Sequence, residues 1–319
     1  MPIPQHPLNS LSESTSNRSK QTALIVNTRS RNGQESFELS RQLLEENGVC
    51  IDTADAVDSG TRLRERIQAA LHAGTELIIV GGGDGSLRTA ASVLAHSDAT
   101  LGVIPLGTVN DFARNLCIDP DLASACRVIA EGRTANIDIG RANDDCFLIT
   151  ASLGVSALMQ TVLTPRMKRI LGPFGYVAAS LMVWRRLRHL HVTVEHDGKV
   201  EHMTVMQAGV INGHSWMGGR CEIPGVDLES GKLAFYAVPP QNNFAYLRIA
   251  RRVRQGEFFH TPGLTAFSTK DVTVSTKRHY PLVLDGDLSG MTPVRLWVDA
   301  EALRVCVGEQ FDVPVDGRA

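Results

Sequence analysis

The chain has 319 residues, long enough for two compact domains rather than one core. Its composition, 43% hydrophobic and 21% charged, is that of a globular protein, and a formal net charge of −2 supplies no global field to attract nucleic acid. No run reaches the ~18 apolar residues of a membrane span; the longest candidate, residues 170–184, is broken by Gly172, Pro173, Gly175 and Ser180.

Residues 1–20 are rich in Pro, Ser and Asn and cannot bury enough apolar surface to fold, so a disordered tail is expected. They contain no charged start followed by an apolar stretch, which argues against a secretion signal and for a cytoplasmic protein. The six cysteines, at 50, 117, 126, 146, 221 and 306, show no metal spacing and read as reduced thiols. An apolar strand is predicted at 22–26 and a helix at 34–47, closed by Gly48. Residues 62–72 place Leu63, Ile67, Ala70 and Leu71 on one helical face.

Next comes the most informative stretch. The strand-like run Leu77-Ile78-Ile79-Val80 leads into Gly81-Gly82-Gly83-Asp84-Gly85-Ser86, and a helix-like run follows at 87–94. Glycines let a backbone approach a bulky anion and adopt positive φ, and the amides opening the next helix then face that anion. Asp84 would repel a phosphate unless Mg²⁺, or a water on it, lies between them. A second strand, 101–104, ends in Pro105-Leu106-Gly107-Thr108-Val109-Asn110-Asp111-Phe112-Ala113-Arg114. There Gly107 allows close approach, Thr108 offers a hydroxyl, Asn110 an amide and Asp111 a carboxylate. Each loop alone could be an ordinary capped βα turn. Two at successive strand ends point to a nucleotide triphosphate site, where ligands of open α/β sheets bind. A helix at 120–132, with Pro120 near its start and Gly132 at its end, completes a region of alternating strands and helices.

From about residue 137 the texture changes to short strand-forming runs: 146–150, 191–195, 201–210, 232–238, 271–275, 281–284, 294–298 and 303–307. An antiparallel β-sandwich is expected, interrupted by helix-like segments at 175–188 and 244–255. Those segments carry the clustered positive charge, with Arg166, Lys168, Arg169, Arg185, Arg186 and Arg188 around the first and Arg248, Arg251, Arg252 and Arg254 on the second. They are either solvated helix faces or a surface for anionic lipid headgroups. Trp216 and Met217 could edge a cleft or fill a packed turn.

The motifs carry a resemblance. GGGDGS resembles the GGDGT signature of the diacylglycerol kinase, sphingosine kinase, NAD kinase and phosphofructokinase superfamily. PLGTVNDFAR is more specific and resembles PLGTxNDFAR of the bacterial diacylglycerol kinase-like lipid kinases. Asn27, with Ser30 and Gly33, partly matches that family's first-strand loop. Lys168-Arg169 and Leu171-Gly172-Pro173-Phe174-Gly175-Tyr176 look like its KRxLGPFAY segment. Asn212-Gly213, Gly218-Gly219, Pro224 and Gly231-Lys232-Leu233 follow its second-domain pattern, and Leu284-Asp285-Gly286-Asp287 resembles its VDGE motif.

The resemblance implies an N-terminal α/β domain with a mostly parallel sheet (21–136), a C-terminal antiparallel β-sandwich domain (137–319), and a cleft between them. It implies an ATP-dependent lipid kinase in contact with an anionic membrane surface at the inner face, and a homodimer is compatible with it. Gly81, Gly82, Gly83, Gly85 and Ser86 would cradle phosphates; Gly107, Thr108, Asn110 and Asp111 would hold the nucleotide or its loop; Asn27 would reach in from the first strand. Asp84 would orient Mg²⁺ through water, and Asp287 would accept the substrate proton. Three positions depart from the family: Ser86 replaces Thr, Asp287 replaces Glu, and Ser230 replaces an Asp that binds a structural metal, for which Asp227 or Glu229 would have to substitute. Read locally, Asp285-Gly286-Asp287 is as well a β-turn. A soluble-substrate relative such as an NAD kinase, and a catalytically weak regulator, are the alternatives.

Overall fold

The computed structural model describes residues 21–29, 33–162, 189–216, 219–220, 225–240, 248–249, 251–252 and 255–311. The expected tail at 1–20 and the expected helix at 175–188 with the basic residues around it lie outside these. So do Ser30, Met217, Gly218, Cys221 and Pro224. Of the expected helix at 244–255, only Arg248, Ile249, Arg251, Arg252 and Gln255 are described.

Strands and helices alternate first: β1 (Thr22–Asn27), α1 (Gly33–Glu46), β2 (Thr53–Val57), α2 (Gly60–His72), β3 (Leu77–Gly82), α3 (Asp84–Leu94), β4 (Thr100–Pro105), α4 (Asp111–Asn115) and α5 (Leu122–Glu131). The strands pair in parallel in the order β2-β1-β3-β4. Side chains alternate between the two covered faces, as a doubly wound sheet requires. Leu24, Val26, Ile79 and Ile104 pack with Phe37, Leu44 and Ile129 of α1 and α5. Ile25, Ile78, Val80 and Val103 pack with Leu63, Ile67, Leu87 and Phe112 of α2, α3 and α4. Fully burying one such side chain contributes about 1.5–3 kcal/mol, so this sheet is a firm base for the loops at its C-terminal edge. Caps fix the helix ends. Ser59 accepts the Arg62 N–H to start α2, Asp121 accepts the Ser124 N–H to start α5, and Gly132 ends α5 at φ 69°. Strand β2 was not foreseen, because only Val57 of its five residues is buried.

The remaining elements are β5 (Thr134–Ala142), β6 (Asp145–Phe147), β7 (Thr150–Gly154), α6 (Val155–Val162), β8 (Leu190–His196), β9 (Lys199–Val205), β10 (Gln207–Ile211), β11 (Ser215–Trp216), β12 (Gly219–Arg220), β13 (Leu233–Val238), β14 (Thr265–Thr269), β15 (Asp271–Thr276), β16 (Pro281–Leu284), β17 (Asp287–Met291) and β18 (Val294–Cys306). An antiparallel sheet in the order β14-β13-β10-β7-β16-β17 faces β18, β15 and β8. The two share one core: Val192, Val194, Val272, Val274 and Leu296 from one side, Leu153, Val210, Phe235, Leu282 and Leu284 from the other. This is the expected sandwich. One of its sheets is continuous with the N-terminal sheet, because Val305 of β18 pairs in parallel with Leu101 of β4.

Strands β5, β14 and β17 and helix α6 were not foreseen, and three expected runs divide or merge. Residues 146–150 divide between β6 and β7, and residues 201–210 between β9 and β10. Both breaks are corners where the chain changes sheet. At the second, the Met206 N–H donates to the Val238 carbonyl, and the Met206 carbonyl accepts the Val155 N–H. The opposite difference occurs in β18, expected as two strands. It is one strand with an irregularity between Asp299 and Leu303, where the Glu301 N–H donates to the buried Asp138 carboxylate at 2.9 Å. The Trp216 ring packs on Tyr236 and Phe258. Among the described residues, no helix is long and apolar enough to cross a membrane.

Candidate functional site

The glycine-rich loop sits where β3 hands over to α3, with Gly83 as the extended N-cap residue at φ −86°. None of Gly81, Gly82, Gly83, Gly85 or Gly107 has positive φ, so the conformational reason expected for glycine is replaced by a packing one. A Cβ on Gly82 would lie 2.5 Å from the Ser86 Cβ, and one on Gly107 would lie 2.8 Å from the Gly83 Cα. The two loops therefore meet glycine against glycine. Ser86 is partly buried, and its hydroxyl accepts the Asn27 side-chain N–H at 3.0 Å. Asn27 in turn accepts the Arg29 N–H at 3.1 Å. Asn27, Ser86 and the first turn of α3 thus form one unit across β1 and β3.

The second loop closes on itself. The Asn110 Oδ1 accepts the Gly107 N–H at 2.8 Å, and its Nδ2 donates to the Gly107 carbonyl at 3.2 Å. Asn110 is buried and left-handed, φ 54°, a conformation that Asn adopts more readily than most residues. Its side chain shapes the loop, while Gly107 and Thr108 are exposed. Asp84 joins the two loops: its Oδ1 accepts the Phe112 N–H at 3.2 Å at the start of α4. Burial pushes the Asp84 carboxyl above the usual carboxylate range, against the pull of backbone amides at Phe112, Asp111 and Asn110. Asp111 occupies the first turn of α4, a favourable place for a carboxylate.

The Leu284–Asp287 hairpin enters from the other half of the molecule. Asp285 and Gly286 form its turn, both with positive φ, 46° and 86°. The Asp285 carboxylate does not face the site. It accepts the N–H groups of Leu148, Ile149 and Thr150 at 2.7, 2.9 and 2.9 Å, fixing the corner before β7. Burial pushes this carboxyl up to about 6, opposed by those three amides. Asp287 points the other way. A Cβ on Gly85 would lie 3.0 Å from its Oδ2, so the carboxylate stands over the first turn of α3. The structure thus brings Asp287, Gly85, Asp84 and Ser86 to one place.

Two residues went unnoticed in the sequence. Arg88, one turn after Asp84, sends its guanidinium to the Leu284 carbonyl at 3.2 Å and to Asp287 Oδ2 at 3.5 Å. Asn115, at the end of α4, is fully buried; it donates to the Ser215 carbonyl at 2.9 Å and accepts the His214 and Ser215 N–H groups at 2.8 and 3.0 Å. It ties α4 to the 213–216 segment of the other half. Nothing in the local pattern distinguishes either from ordinary helix residues.

Asp227 lies far along the chain from these loops, and its Oδ1 accepts the Glu229 N–H at 2.9 Å. Ser230 completes that turn by hydrogen bonding to Asp227 backbone groups, and Gly231 donates to Asp138 at 2.6 Å. Among the described residues, no group of three His, Cys, Asp or Glu side chains could hold a metal ion. The Asp84 carboxyl accepts backbone amides at the start of α4, so an ion here would be carried largely by water and substrate phosphates rather than by a protein cage.

Comparison with known proteins agrees with this architecture. Residues 21–142 match the family model of the diacylglycerol kinase catalytic domain, and residues 150–307 match that of the YegS C-terminal NAD kinase beta sandwich-like domain. A diacylglycerol kinase of Staphylococcus carnosus (strain TM300) is 30% identical over 228 residues, 70% of this chain and 74% of that protein. One from Staphylococcus aureus (strain Newman) is 28% identical over 228 residues, 71% of this chain and 72% of its own. A crystal structure from Bacillus anthracis str. Sterne superposes with TM-score 0.79 at 21% identity, covering 94% of this chain and 99% of that one. A diacylglycerol kinase structure from the same organism gives TM-score 0.69 at 18% identity, covering 92% and 98%. These structural likenesses carry the fold.

Proposed function

The chain belongs to the diacylglycerol kinase family, and on that premise we propose that it transfers the γ-phosphoryl group of ATP to a lipid hydroxyl. The observation that carries the reading is the placement of the Asp287 carboxylate over Gly85, at the mouth of the loop suited to phosphates.

Phosphoryl transfer asks the protein mainly for positioning and charge neutralisation. The backbone from Gly81 to Gly85 and the opening amides of α3 receive phosphate oxygens. Ser86, steadied by Asn27, adds a hydroxyl. The exposed Gly107 and Thr108 line the nucleotide from the facing loop, whose shape Asn110 sets and whose helix Asp111 begins. Asp84 would hold Mg²⁺ through water, and the ion would offset phosphate charge. Asp287 accepts the proton of the lipid hydroxyl as its oxygen bonds to the γ-phosphorus; the bond from that phosphorus to the β–γ bridging oxygen breaks, and ADP leaves.

The enzyme works at an anionic membrane surface, approached through its arginine-rich segments. The test is labelled ATP with a total lipid extract, the product identified by mass. A phosphorylated lipid formed only with divalent metal is expected. Label transfer to a soluble acceptor such as NAD, or to no acceptor, refutes the assignment.

A further inference from the structure

We propose that Arg88 is a positioning residue for the base, holding the hairpin that carries Asp287 against the first turns of α3. This rests on the lipid kinase reading above and adds to it a residue that its motifs do not contain. The argument begins with reach. Arg88 lies four residues after Asp84, on the same face of α3 one turn further on. Its side chain is 17% exposed, so its stem is packed and its head is directed.

The guanidinium is a flat fork with five donors. It spends one branch, Nη1, on the Leu284 carbonyl at the near end of the hairpin turn. It spends the other, Nη2, on Asp287 Oδ2 at the far end. One side chain therefore spans both ends of the Asp285–Gly286 turn. On the opposite side the turn is anchored by Asp285 to three amides of the sandwich. Those bonds fix the hairpin to its own sheet but not to the loops of the other half. Arg88 supplies that second attachment. Lys could reach either acceptor but not both, because it is a point donor on a flexible stem.

The consequence is kinetic. A misplacement of about 1 Å can cost about 100-fold in rate without altering substrate binding. Arg88→Met keeps the stem and removes the fork. Its kcat is expected to fall about 10- to 100-fold with the KM for ATP changed less than about twofold. Arg88→Lys should recover only part of the loss.

The deciding measurement is a double-mutant cycle with Asp287→Asn. If Arg88 acts through Asp287, adding Arg88→Met to Asp287→Asn should cost little more in single-turnover rate. Losses that multiply overturn the proposal, and so does a KM for ATP that rises in step with the fall in kcat, which would make Arg88 a phosphate ligand. Hydrogen exchange supplies a readout independent of activity: backbone amides at 284–288 should exchange faster in Arg88→Met, and in Arg88→Lys should the Met variant fail to fold. Unchanged exchange there overturns the tether. A wild-type chain that phosphorylates no lipid overturns the function and this inference together; normal wild-type activity with an uncoupled Arg88 overturns the inference alone.

Discussion

Asp287→Asn separates chemistry from architecture at the proposed base. The substitution keeps the side chain's size and removes its ability to take a proton. Asp287 is 62% exposed, and its ion pair with Arg88 is 3.5 Å long. Exposed pairs of this kind contribute about 0–1 kcal/mol, so the unfolding midpoint in urea should barely move. The rate should fall by about 10²–10⁴, the usual range for a lost general base, equivalent to about 3–5 kcal/mol of barrier. ATP affinity should be almost unchanged, because the loops at Gly81–Ser86 and Gly107–Asp111 do not depend on this carboxylate. Asp287→Glu restores the family's usual residue and should keep substantial activity. Rapid-quench single turnover on lipid vesicles, with calorimetric ATP binding, makes the comparison. A folded Asn variant that turns over at the wild-type rate would show that Asp287 is only a turn residue.

Gly85→Ala should reduce turnover while changing stability by less than about 1 kcal/mol, since the new methyl meets only the exposed side-chain end of Asp287, 3.0 Å away; a thermal melt and steady-state rates test both halves. Asp285→Ala orphans three buried amides and should destabilise by about 3 kcal/mol or more. Because burial raises the Asp285 carboxyl to about 6 from an ordinary 3.8, the folded state binds its proton more tightly than the unfolded state. Its contribution is then full below pH 4 and is lost as pH rises through 6, so the Ala variant's deficit in urea should be larger at pH 4 than at pH 8; equal deficits refute this. Binding to anionic vesicles should exceed binding to neutral ones and weaken with salt, and joint charge reversal at Arg185, Arg186 and Arg188 should diminish it in a sedimentation assay; indifference to charge and salt would remove these residues from the lipid contact.

The parallel half was legible because its signals are local. Strand–glycine–helix units at 77–94 and 101–115, and the caps at Gly48 and Gly132, announce themselves within a few residues. The sandwich was legible as a class but not in its joints. Met206 and Leu148–Thr150 are corners where the chain passes from one sheet to another, and the apolar residues at the corner itself, such as Val205, Met206 and Ala208, are buried on both sides of the break. The stretch Asp299–Glu301 falls between two runs, 294–298 and 303–307, expected as separate strands. It is an irregularity inside β18, and its stabilising partner, Asp138, is 163 residues away. The site divides in the same way. Its glycines, Asn110 and Asp111 lie in readable motifs, and Asp287 emerged from the family pattern alone. Arg88 and Asn115 had no signal because their partners lie 199 and 100 residues away, and a helix records only its own periodicity.

These long-range partners differ in what they control. The placement of the two halves is set by β18, which pairs with β4, β5 and β15, and by the fully buried Asn115, whose amide is matched on both sides. Breaking such contacts exposes or orphans buried groups, at about 1–3 kcal/mol for each, so they belong to folding. The Arg88–Asp287 contact is long and largely open to solvent on the Asp287 side, and it contributes little to folding. It acts on one carboxylate, at a point where ångström shifts are read as rate rather than as stability. That division of labour follows from burial: the fully buried side chains hold the frame, and the Arg88–Asp287 pair, open to solvent on its Asp287 side, is left to position the proposed base.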